Sequence, residues 1–133
     1  MNPSPRVLIV EDLDFWQEAL REVLTEAGYQ VSIAPSYVVA LETLGRYEFH
    51  LAVIDPVLDD TNRRNRDGMR VLQHILDLRP EMRAVVITSS DPHRIRREMQ
   101  EMCPGIPLLW KDEWDDNGFL SIVSDLLCVK REA

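Results

Sequence analysis

Residues 7–28 read VLIVEDLDFWQEALREVLTEAG. The run Val7 to Val10 has no polar alternation, so a strand built from it is buried on both faces, as in a parallel sheet covered by helices. The period then changes. Phe15, Trp16, Ala19, Leu20, Val23, Leu24 and Ala27 recur at helical spacing and fall on one stripe, and Gly28 supplies a stop. A buried strand followed by an amphipathic helix is a βα unit, and the acidic pair Glu11 and Asp12 occupies the turn between them.

The same unit recurs along the chain. Val31 to Ala34, Leu51 to Ile54, Ala84 to Thr88 and Leu108 to Trp110 read as further strands. Ser36 is placed to cap a second helix that turns Tyr37, Ala40, Leu41 and Leu44 inward and ends near Gly45. A third helix carries Met69, Leu72, Ile75 and Leu76 and stops before Pro80. Asp91 followed by Pro92 starts a fourth, whose apolar face is Ile95, Met99 and Met102. The last begins near Asp115 and Asp116, runs through Phe119, Leu120, Val123, Leu126 and Leu127, and meets Lys130 and Arg131 at its negative end. Right-handed crossovers then place helices on both faces of one open sheet, an α/β doubly wound (βα)5 architecture.

At 133 residues the chain fits a single domain, 1–133, with its core between about residues 6 and 127. It has 23 acidic against 15 basic residues, a formal charge of −8, which repels nucleic-acid phosphates and anionic membranes; direct nucleic-acid binding is not expected. No apolar run reaches the roughly 18 to 20 residues of a membrane span, and MNPSPR leads into a strand rather than a signal peptide, so a cytoplasmic location is expected. Cys103 and Cys128 have no CxxC spacing and read as buried, reduced thiols. His50, His74 and His93 lack metal-ligand spacing and read as structural or surface residues.

Ligands of such sheets bind beyond the carboxyl ends of the strands. There the sequence is polar: Glu11 and Asp12 follow the first strand, Asp55 the third, Thr88 and Ser89 close the fourth, and Lys111 follows the fifth. Carboxylates converging on one edge raise each other's pKa unless a hard cation such as Mg²⁺ lies among them. A lysine and a hydroxyl beside them suit an incoming phosphoryl group, with Asp55 as nucleophile.

The segments VLIVED, LAVID, VVITSS and LLWKD, in this order, resemble the receiver domain of two-component response regulators over nearly the whole chain. The resemblance implies a flavodoxin-like fold with strand order 2-1-3-4-5. It also implies a signalling domain rather than an enzyme in the ordinary sense, limited to its own phosphorylation and autodephosphorylation. Asp55 would take phosphate from a histidine kinase or phosphotransfer protein. Asp12 and Asp55 would bind Mg²⁺ through carboxylates, Glu11 through water and Val57 through its carbonyl. Thr88 and Lys111 would contact the acyl phosphate and alter the surface formed by helix four, strand five and helix five. That surface would address a downstream protein or effector domain, and a homodimer is compatible with it.

Several positions depart from the family pattern. Lys111 is followed by Asp112 rather than proline, Leu108 stands where an aromatic switch residue is common, and Ser89 replaces a frequent alanine. Asp59 replaces a proline, and Asp67–Gly68 comes about five residues late, after the insertion in DDTNRRNRDG. That insertion reads as an extended surface loop; in a sharper reading, Arg63, Arg64 or Arg66 folds over the phosphoryl group or meets an acidic partner. His93, Arg94, Arg96 and Arg97 read as a solvated helix face. Two other functions fit parts of the sequence: a receiver-like interaction module independent of phosphate, and an aspartate-nucleophile phosphohydrolase. The latter usually needs a second acid where this chain has Val57.

Overall fold

The computed structural model describes residues 4–128 except 60, 63, 90 and 91. Expectations for Arg63, Asp91, Lys130 and Arg131 fall outside the described residues. The elements are β1 (Arg6–Val10), α1 (Asp14–Glu26), β2 (Gln30–Ala34), α2 (Tyr37–Arg46), β3 (Leu51–Ile54), α3 (Asp67–Leu78), β4 (Arg83–Thr88), α4 (Pro92–Met102), β5 (Leu108–Trp110) and α5 (Asp116–Cys128). A 3₁₀ turn at Lys111–Glu113, which the sequence pattern does not announce, joins β5 to α5. The strands form one parallel sheet in the order β2-β1-β3-β4-β5, the flavodoxin-like arrangement that the resemblance implies.

Each central strand serves two cores, because alternate side chains point to opposite faces. Leu8, Val10, Ala52, Ile54, Ala84 and Val86 pack with Ala40, Leu44, Leu72, Ile75, Ile95 and Met99 on the side of α2, α3 and α4. Val7, Ile9, Leu51, Val53, Val85 and Ile87 pack with Leu20, Leu24, Phe119 and Val123 on the side of α1 and α5. The stretches 7–10, 51–54 and 84–87 of these strands are accordingly apolar at every position. Truncating one of their wholly buried leucines or isoleucines to alanine would cost about 2–5 kcal/mol.

Local signals in the sequence account for some of the helix boundaries. Ser36 Oγ accepts a hydrogen bond from Val39 N–H at 3.2 Å and caps α2. Gly28, at φ 99°, takes the left-handed conformation that follows a helix end and that costs glycine least. Two expectations for α1 fail: Phe15 is 74% exposed and Ala27 is also exposed. Phe15 precedes the inward-facing Leu20 by five positions, which at about 100° per residue turns it roughly 140° away from the sheet. Ala27 already belongs to the turn beyond the helix. Cys103 is buried as expected, but Cys128, on the last turn of α5, is exposed; both are free thiols.

Candidate functional site

The sheet register brings the polar strand ends together. Val10 of β1 lies opposite Ile54 of β3, so Glu11 and Asp55 leave the sheet side by side. Their backbones are held there: Asp55 N–H donates to Val10 O at 2.9 Å and Glu11 N–H to Ala34 O at 3.2 Å. Thr88, wholly buried at the end of β4, pairs in register with Trp110, the residue before Lys111. Glu11, Asp55, Thr88 and Lys111 are the buried polar and charged residues among those described.

The ammonium of Lys111 lies between two carboxylates, with Nζ donating to Glu11 Oε1 and to Asp55 Oδ2, each at 2.7 Å. The remaining oxygens also have donors: Glu11 Oε2 accepts from Leu13 N–H at 3.2 Å and Asp55 Oδ1 from Val57 N–H at 2.9 Å. This satisfies a buried polar cluster that would otherwise be costly. The charges do not balance, however, since one ammonium faces two carboxylates and Asp12 lies beside them. Burial, with the Asp55 charge next in importance, pushes the Glu11 carboxyl up to about 7, against the lowering effect of Lys111. Burial raises the Asp55 carboxyl as well, and Lys111 again opposes the shift.

Oxygens of Glu11, Asp12 and Asp55 lie within 4.8 Å of one another. Three hard oxygen donors around a site with surplus negative charge fit a divalent cation of the Mg²⁺ type. Val57, the fourth ligand expected from sequence, is buried directly behind the Asp55 carboxylate.

The part that two residues play at the site escaped the sequence reading. Gly68, in the first turn of α3, donates its N–H to Pro56 O at 3.0 Å. A Cβ there would lie 1.8 Å from Asp55 O and 2.6 Å from Pro56 Cα, so only glycine lets α3 approach the loop that carries Asp55. The Asp67–Gly68 pair was visible in the sequence, but the close approach was not. The second residue is Trp16, whose ring lies 4.9 Å from Lys111 Nζ; in sequence it reads as one more apolar residue of the α1 stripe.

The inserted loop is built by short polar contacts. Asn65 Oδ1 accepts from Leu58 N–H and Asp67 N–H, both at 2.9 Å. The Arg66 guanidinium pairs with Glu98 of α4 and Arg64 is exposed, so Arg66 faces α4 instead of covering Asp55. A separate cavity of about 530 Å³, lined by residues including Phe49, His50, Arg79 and Arg83, opens at the other end of the sheet, where β3 and β4 begin. Among the described residues, no helix is long and apolar enough to cross a membrane.

Comparison with known proteins agrees with this geometry. The family model described as response regulator receiver domain matches residues 7–102. The chemotaxis protein CheY of Treponema pallidum (strain Nichols) is 29% identical over 89 residues, which is 66% of this chain and 60% of that protein. A CheY-like response regulator receiver domain from Methanospirillum hungatei JF-1 superposes with a TM-score of 0.81 at 23% identity, covering 94% of each chain. The receiver domain of a signal transduction histidine kinase from Syntrophus aciditrophicus does so at 0.78 and 26% identity, covering 98% of this chain and 96% of that one. The family match ends before β5, so the position of Lys111 rests on the fold itself.

Proposed function

Since the chain belongs to the response regulator receiver domain family of two-component signalling, we propose that it takes a phosphoryl group onto Asp55 and passes the resulting change to a protein partner. The observation that carries this reading is the buried bridge from Lys111 Nζ to Asp55 Oδ2 and Glu11 Oε1, 2.7 Å each, at the carboxyl ends of the strands. It gives the strand-end carboxylate an adjacent fixed cation and a place shielded from water.

In the proposed reaction a carboxylate oxygen of Asp55 attacks the phosphorus of a phosphohistidine on a histidine kinase or phosphotransfer protein. The P–N bond breaks, an acyl phosphate forms, and the departing imidazole takes up a proton. Glu11, Asp12, Asp55 and the carbonyl of Val57 would hold Mg²⁺. When bound, the ion supplies positive charge for the phosphoryl oxygens and relieves the repulsion among the carboxylates. Thr88 would donate its hydroxyl to one phosphoryl oxygen, and Lys111 would pair with another. Both residues adjoin β4 and β5, so their adjustment would reach the α4–β5–α5 surface and a downstream protein or effector domain. A cytoplasmic location fits this exchange.

The direct test is intact mass after incubation with Mg²⁺ and acetyl phosphate or phosphoramidate, comparing the natural chain with Asp55→Asn. A phosphate-sized gain that needs Mg²⁺ and is absent from the variant is expected. Equal labelling of the variant would move the nucleophile elsewhere. No gain in either chain, together with no Mg²⁺ binding, would favour an interaction module independent of phosphate.

A further inference from the structure

Lys111 stands at the junction of β5 and the 3₁₀ turn, and its ammonium ends a flexible four-carbon stem. Backbone position alone therefore does not fix Nζ. Two of its three N–H donors go to Glu11 and Asp55. A third constraint comes from another element: the Trp16 ring of α1, 4.9 Å from Nζ, within the range in which an aromatic face attracts a cation, most strongly where water is excluded. The Lys111 side chain is 3% exposed.

Trp16 is itself held from behind. Trp114 meets it edge-on, with ring centroids 5.1 Å apart and planes at 80°. Trp114 in turn packs on Phe119 of α5 at 4.9 Å and donates its indole N–H to Asp116 Oδ1 at 2.9 Å. The indole that faces the lysine is thus backed by residues of the first turns of α5.

We propose that Trp16 is a positioning residue for Lys111, an aromatic wall braced by Trp114 that keeps the ammonium on the Asp55 side of the site. The role rests on the phosphoacceptor reading above and deepens it. It names the group that fixes the lysine where the chain after it runs on into a short turn. In this role Trp16 acts through the lysine.

The sequence offers a clean probe, because Lys111 and Lys130 are the only lysines. With lysine ¹³C-labelled at Cε, the full chain gives two Hε signals, and the one from Lys111 should be displaced upfield by the indole ring current. Trp16→Phe, which keeps an aromatic face, should retain most of that displacement and most of the rate of mass gain with Mg²⁺ and acetyl phosphate. Trp16→Leu should bring the Lys111 signal close to the lysine position of the urea-unfolded chain and slow the gain about tenfold, as loss of a desolvated cation–π contact would.

Urea unfolding of both variants checks that they are folded. A Lys111 signal in Trp16→Leu unchanged from the natural chain, or an unchanged rate, would overturn the proposal. Should the natural chain gain no mass, the phosphoacceptor reading fails. The NMR comparison then still decides the contact: a displaced signal in the natural chain and Trp16→Phe but not in Trp16→Leu upholds the positioning, and equal signals in all of them refute it.

Discussion

Replacing Lys111 with methionine removes the charge while keeping most of the stem that packs beside Trp16. The two carboxylates it bridges, Glu11 and Asp55, would stay buried without their common cation. Breaking a buried ion pair from one side costs about 3–5 kcal/mol. The carboxylates can avoid part of that cost by taking up protons, so the penalty depends on pH. A carboxyl whose folded pKa lies above its unfolded value favours folding at low pH, and this contribution is lost as pH rises through the folded pKa. Glu11 is already at about 7 in the natural chain, and without Lys111 it would titrate higher still. Between pH 7 and 8 the natural chain then changes little, while the variant continues to lose stability at up to about 1.4 kcal/mol per pH unit for each carboxylate held neutral. Urea unfolding in EDTA should give a deficit of about 3 kcal/mol or more at pH 8 and a clearly smaller one at pH 6. A deficit below about 1 kcal/mol at both pH values, or one larger at pH 6, would refute the electrostatic account of the site, since it would match an ordinary surface pair.

Other perturbations test other parts of the site. Gly68→Ala places a methyl group against the Asp55 and Pro56 backbone; it should cost at least about 1–3 kcal/mol in urea unfolding, the range for overpacking, and slow phosphoryl uptake, whereas normal stability and uptake would mean that α3 is free to withdraw. Mg²⁺ affinity measured by calorimetry should rise between pH 6 and 8, because Glu11 must lose a proton near pH 7 before it can serve as a ligand; affinity independent of pH would remove Glu11 from the cation site. Arg66→Ala breaks the pairing with Glu98 but should leave the rate of mass gain with acetyl phosphate unchanged and lower stability by no more than about 1 kcal/mol; lost uptake would return Arg66 to the phosphoryl group.

What could be read from the sequence follows from the range over which each signal acts. Strands such as Leu51–Ile54 and Leu108–Trp110 fall where unbroken apolar runs place them, because a sheet covered on both faces favours apolar side chains along the middle of its strands. Glu11, Asp55, Thr88 and Lys111 are legible from the order of residues alone, since a parallel sheet collects whatever follows its strands at one edge. Pairing across long separations is different. Lys111 and Glu11 are 100 positions apart and Arg66 and Glu98 are 32 apart, and no local period encodes which side chain meets which. Arg66 could as well have reached the phosphoryl site; the path of the inserted loop decides that it meets α4. Phe15 and Trp16 are adjacent aromatics in one helical turn, yet the first faces solvent and the second faces the lysine. Helical rotation already turns Phe15 away from the Leu20 side and leaves Trp16 on it, but that Trp16 meets Lys111 there is decided by the docking of α1 on the sheet.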